Sequence, residues 1–175
     1  YCLWLSGSFK RQGHWKNLLQ SCIDDAKRQN KSGVCVISSQ KKTPFLTDKK
    51  FVEKQGFKVV DQIEGGYELL ALSFDGTVPA FSETARQQTI DNQTLTIFYG
   101  QQCPFIPNGL KEVQAYCEEE AIPLTLIPVD SLEKAKNLPG IFNNWAVYYR
   151  GKFLTIHMLN KNVLKKLLAG CEERN

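Results

Sequence analysis

Histidine is scarce in this 175-residue chain: His14 and His157 are the only two and lie far apart. Six cysteines stand at 2, 22, 35, 103, 117 and 171, no two with the Cys-x-x-Cys spacing of a zinc clamp or a redox pair. A metal site is therefore not expected. Thiols this widely spaced, set in apolar patterns such as Val34-Cys35-Val36, read as reduced and point to a cytoplasmic setting rather than a disulfide framework. Long hydrophobic runs are also missing, none approaching the roughly 18 residues of a membrane span. Tyr1-Cys2-Leu3-Trp4-Leu5 has none of the regions of a signal peptide and reads as a strand continuing from a longer protein. Repeats and low-complexity tracts are absent as well.

Hydrophobic residues at 42% and aromatics at 11% are enough to build packed cores, which excludes disorder as the dominant state. The net charge of +4 hides an asymmetry. Residues 1–74 hold twelve basic against seven acidic side chains, a net +5, and the remainder ten against eleven. A modest positive field suits a phosphorylated cofactor, and ordinary surface charge accounts for it equally well. No nucleic-acid partner and no membrane partner is expected.

Apolar periodicity predicts an α/β protein. A strand at 1–6 precedes a basic turn and a helix whose apolar face is Trp15, Leu18, Leu19, Cys22, Ile23 and Ala26, ending between Asn30 and Gly33. The run Gly33–Ser38 resembles a parallel strand buried on both faces. Thr47 is the expected N-cap of a second helix, with Leu46 and Phe51 as its staple and Gly56 as its stop. Strands at 58–63 and 67–74 form a hairpin about Glu64-Gly65-Gly66. Periodicity lapses over 75–93, an interdomain linker that Val78, Phe81 and Ile90 tack down.

It resumes as strand 94–99, a helix carrying Leu110, Val113, Cys117 and Ala121, strand 124–129, a short helix 132–138, and a hairpin of 145–149 with 152–157. A closing helix, capped by Asn160, is lined by Val163, Leu164, Leu167 and Leu168. The domains expected are thus 1–74 and 94–175, the first βαβαββ and the second βαβαββα.

The turn Lys10-Arg11-Gln12-Gly13-His14-Trp15-Lys16 has the attributes of an anion cradle: free amides at a helix start, the positive dipole end and basic side chains. A plain strand-to-helix turn would carry the same residues. In context, "SGSFKRQGHWKNLL" followed by "GVCVISS", "FVEKQGFKVV" and "YELLALSF" resembles the C-terminal half of a GCN5-related N-acetyltransferase (GNAT), whose cofactor segment reads Gln/Arg-x-x-Gly-x-Gly/Ala. Lys10 stands at the first position, Gly13 at the first glycine and Trp15 at the second.

That resemblance implies a mixed-sheet partial GNAT fold with acetyl-CoA as cofactor. Its diphosphate would lie on the amides around Arg11, Gln12, Gly13, His14, Trp15 and Lys16, and its pantetheine along Leu3, Trp4 and Leu5. The acceptor would be an amine on a small molecule or peptide. Trp15 stands where the family has a small residue, so its indole either narrows the site or turns into the core. Val52 stands where the family has its acid tyrosine. The strands that would precede Tyr1 are not in the chain, so a second copy is a candidate to cover the sheet edge at residues 1–5. The reading of a different class is a CoA-sensing or partner-binding module without turnover.

In the second domain, "LTIFYGQQCPF" with "YYRGKFLTIHML" is similar to the YoaP-like domain found behind some bacterial acetyltransferases, which implies a thioredoxin-like unit. Cys103 stands at the place of a thioredoxin-like nucleophile, before a helix N-terminus. No resolving cysteine follows, and Asn143-Asn144 replaces the usual proline, so monothiol chemistry and a structural role are the readings for Cys103. Glu118-Glu119-Glu120 reads as a solvated helix face, and Tyr148 and Tyr149 as strand residues facing in and out.

Overall fold

A computed structural model describes residues 1, 3, 5, 7–10, 12–41, 43–44 and 46–172, the last without its side chain. The chain is an α/β protein of two compact units, Tyr1–Phe81 and Ser82–Asn175.

The first unit runs through a 3-10 turn (Gly7–Phe9), α1 (His14–Arg28), β1 (Gly33–Ser39), α2 (Lys49–Glu53), β2 (Lys58–Ile63) and β3 (Tyr67–Ser73). Its three strands lie in the order β1-β3-β2, all antiparallel. Two expectations are corrected here. Tyr1, Leu3 and Leu5 belong to no strand, while Cys2, Trp4 and Ser6 of the expected strand lie outside the described residues, and among the described residues β1 pairs with β3 antiparallel, with no parallel partner. Val34 and Val36 of β1 pack into the core under the helices, which accounts for half of its apolar run. Among the described residues β1 is an edge strand of the sheet.

α1 begins on Gly13 in the left-handed region (φ 79°), where glycine alone is unstrained. It ends in a Schellman motif: Asn30 has φ 53°, its N–H donates to the Lys27 carbonyl, and Lys31 N–H donates to Ala26. Leu19 and Ile23 enter the core with Val52, Phe57 and Leu70, while Trp15 packs at the margin. Leu18 and Cys22 are exposed, because a three-stranded sheet covers a narrower arc of the helix than the periodicity offers. Cys35 is exposed too, on the face of β1 away from this core. The cap of α2 is Asp48, not Thr47; its carboxylate accepts from Phe51 N–H at 3.3 Å. The Leu46–Phe51 staple therefore falls one residue out of register. Gly56 (φ 92°) closes that turn as expected.

Across this sheet, directly opposed residues share a face. Val34 faces Leu72, and Val36 faces Leu70, which faces Val59; these rungs are apolar. The last rung, Ser38, Glu68 and Gln62, is polar. The helix-covered face thus changes character at one end.

The second unit contains α3 (Glu83–Gln87), β4 (Leu95–Tyr99), α4 (Ile106–Glu119), β5 (Leu124–Pro128), α5 (Leu132–Lys136), β6 (Trp145–Tyr149), β7 (Lys152–Thr155) and α6 (Lys161–Glu172). Strand order is β5-β4-β6-β7, with β4 parallel to β5 and the other pairs antiparallel. Both faces are filled. Leu95, Ile97, Trp145 and Val147 pack with Val113, Cys117 and Leu164 on one side, and Ala146 and Tyr148 with Leu138 and Phe142 on the other. Tyr148 and Tyr149 therefore both pack inward, on opposite faces.

Smaller differences have local causes. Ala121 (φ 53°) lies beyond the end of α4. α5 stops at Lys136, β5 at Pro128 and β7 at Thr155, so His157 is not on a strand. Val163 is exposed. The segment 75–93 is not uniformly irregular: Ser82 caps α3, accepting from Ala85 N–H at 3.2 Å. Phe81 N–H donates to Asp61 Oδ2 at 2.7 Å within the first unit, and Ile90 N–H to the Gly151 carbonyl at 2.8 Å within the second. Val78, expected to tack the segment down, is exposed.

Candidate functional site

The start of α1 is built by its own hydrogen bonds. Gln12 Nε2 donates to the Ser8 carbonyl at 2.6 Å, and His14 Nε2 lies 3.2 Å from Gln12 Oε1, with the Phe9 ring edge-on to the imidazole. Lys16 and Asn17 N–H both turn back to the Gly13 carbonyl. No side chain among the described residues caps this helix. The amides of His14 and Trp15 thus belong to the orphan donors of a helix N-terminus, beside the exposed Lys10 and Lys16. A Cβ built on Gly13 meets nothing within 4 Å, so the corner is open.

The Trp15 indole does not fill it. Its ring packs edge to face on Phe51 of α2, centroids 4.0 Å apart, and against the core. Of the two openings left by the sequence, the inward one is realised. Leu3 packs on the same core and Leu5 is half-buried, neither of them in a strand. Trp4 and Arg11 lie outside the described residues. Val52 is 2% exposed and part of the core, a side chain without a proton to exchange.

Cys103 sits in the turn before α4, half-buried against the core, with its carbonyl accepting from Ile106 N–H at 3.1 Å. Asn144 (φ 65°) stands just before β6, and its backbone carbonyl accepts from Gly100 N–H. Asn144 Oδ1 and Trp145 Nε1 are buried without hydrogen-bond partners among the described residues. Glu118–Glu120 are exposed as expected, and Glu119 pairs with Lys161 at 2.6 Å.

A second polar locus escaped the sequence reading. Glu68, 2% exposed, lies on the central strand with Lys49 Nζ 2.7 Å from its Oε2 and Gln62 Nε2 donating to its Oε1 at 3.3 Å. Local sequence holds no signal for it, since Lys49 and Glu68 meet only through α2 and β3.

Two α/β units, the second with both sheet faces filled, define the class of protein. Residues 123–166, from the approach to β5 into α6, match the model of the YoaP-like family. Over 169 residues the chain is 35% identical to a Bacillus subtilis (strain 168) protein described as "Uncharacterized N-acetyltransferase YoaP", an alignment covering 95% of this chain and 67% of that relative. The chain belongs to this YoaP family. No solved structure matches it. Among the described residues no helix is long and apolar enough to cross a membrane.

Proposed function

We propose that this chain is the larger part of an acetyl-CoA-dependent N-acetyltransferase of GNAT type, acting on an amine of a small molecule or peptide, with a thioredoxin-like second unit. The observation that carries this reading is the 35% identity, along nearly the whole chain, to a protein described as an N-acetyltransferase. The strand order and directions of the second unit support its thioredoxin-like character.

The open corner at Gly13 fits a diphosphate. The amides of His14 and Trp15, the positive end of a fifteen-residue helix, and the side chains of Lys10 and Lys16 would hold it. Arg11 would join them. The cofactor supplies an activated acetyl thioester. The chain contributes position: Gly13 lets the backbone turn tightly, and Gln12 and His14 stiffen the loop before any ligand arrives.

A β-branched residue forced into the left-handed region costs about 1–3 kcal/mol. Gly13→Val should therefore weaken acetyl-CoA binding by about tenfold or more while the helix content read by circular dichroism is retained. Unchanged affinity in calorimetry would refute the assignment of the cradle.

The buried Val52 favours a second reading, a CoA sensor without turnover. Release of free thiol from acetyl-CoA in the presence of an amine panel distinguishes the two, since a sensor binds and releases none.

A further inference from the structure

At the polar end of the first sheet is a cavity of about 340 Å³, lined among others by Ser38, Ser39, Thr43, Asp48 and Lys49. We propose that this cavity binds the ammonium group of the amine acceptor, with Glu68 as its counter-charge and Lys49 as the internal amine that the ligand displaces. Calling the ligand an acceptor rests on the acetyltransferase reading; the cation site itself rests on three observations.

The first is the state of Glu68. A carboxylate this buried requires compensation. Among the described residues it receives one hydrogen bond, from Gln62 at 3.3 Å, and an ion pair with Lys49. The pair is close at 2.7 Å, yet its angle leaves Oε2 without an aligned hydrogen-bond donor among the described residues. A compact ammonium free to choose its approach can satisfy that oxygen better than one tethered to α2.

The second is the relation of the pair to the cavity. Lys49 lines the cavity; Glu68 does not, although Ser38, its cross-strand partner on the same face, does. The Lys49 side chain is 30% exposed, so it can swing into solvent and open the way to Glu68.

The third is the hydrogen-bonding sense of the walls. Ser38 Oγ donates to the Thr47 carbonyl at 2.8 Å. Ser39 Oγ reaches Thr43 Oγ1 at 2.8 Å, and Thr43 Oγ1 donates to the Lys41 carbonyl at 2.9 Å. A hydroxyl has one proton. With those protons committed to the protein, these hydroxyls and the Asp48 carboxylate offer lone pairs to the cavity, which suits a donor-rich ammonium; Lys50, which also lines it, is exposed and free to turn its own ammonium to solvent.

The test is a titration of the ¹⁵N-labelled full chain, in the absence of acetyl-CoA, with n-butylammonium and with the neutral n-butanol as control. Expected are saturable shifts of the Ser38, Ser39 and Lys49 amides with the amine alone. Glu68→Gln should weaken binding by about tenfold or more, since a charge-assisted bond is lost. Lys49→Met should tighten it by about tenfold, because the competitor is gone. A merely structural ion pair predicts no such gain. Failure of the amine to shift these amides in both wild type and Lys49→Met overturns the proposal, as does inorganic phosphate producing the shifts instead. A separate acetyl-CoA titration reports on residues 12–16, so loss of the cation site and loss of the acetyltransferase reading are told apart.

Discussion

His157 follows β7 with its Nε2 buried and without a hydrogen-bond partner among the described residues, while its backbone N–H donates to Thr155 Oγ1 at 3.0 Å. Burial disfavours the imidazolium and lowers the pKa from its ordinary 6.5. In the unfolded chain the ring regains the ordinary value. As pH falls through 6.5, the unfolded state therefore takes up a proton that the folded state refuses, and stability declines until the folded ring also protonates. The slope in that window is at most about 1.4 kcal/mol per pH unit for one group. Urea midpoints measured at pH 7.5, 6.5 and 5.5 should fall for the wild type and fall less for His157→Gln. Equal slopes would mean that the ring does not titrate differently in the two states.

At the scale of the element, α6 tests what a single cap contributes. Asn160 Oδ1 accepts from Val163 N–H at 2.9 Å and its carbonyl from Leu164 N–H at 2.9 Å, while Lys161 N–H donates to Glu112 Oε1 of α4. Leu164 is fully buried, so fraying here disturbs the core. Asn160→Ala should cost about 1 kcal/mol, and Asn160→Asp, which keeps the acceptor, close to nothing. Thermal melts that drop equally for both would locate the effect elsewhere. This cap was legible in the sequence because an asparagine before a helical period is a local signal. At α2 the same logic missed by one residue: Thr47 and Asp48 are both capping types, and only the bond from Ser38 Oγ to the Thr47 carbonyl, made in the folded sheet, decides between them. Gly13 was readable for the same local reason as Asn160. The antiparallel pairing of β1, the exposure of Leu18 and Cys22 and the burial of Glu68 were not, since each depends on a partner supplied by tertiary structure.

At the scale of the whole molecule, the second unit carries a complete sheet with both faces filled, and its boundary matters. The expected boundary at 94 would leave Gln88, Ile90 and Gln93 outside. In the fold these residues border the β6–β7 hairpin: Phe153 N–H donates to the Gln88 carbonyl, Ile90 N–H to Gly151 and Arg150 N–H to Gln93, and Ile90 packs on the Tyr148 cluster. A fragment of residues 82–175 should therefore unfold cooperatively on its own, with roughly 5–14 kcal/mol of stability expected for its size. Its urea dependence should be about 1–3 kcal/mol per molar. A fragment of residues 94–175 forfeits those three backbone hydrogen bonds, the Asn92 side-chain bonds to Thr94 and Thr125, and the burial of Ile90 and Ala85, a loss of at least about 2–4 kcal/mol. Because the lost contacts brace the free side of the sheet, that loss should appear as a lower urea midpoint with little change in slope. Coincident midpoints for the two fragments would mean that the 88–93 segment lies on the sheet without stabilising it, and would return the functional boundary to residue 94.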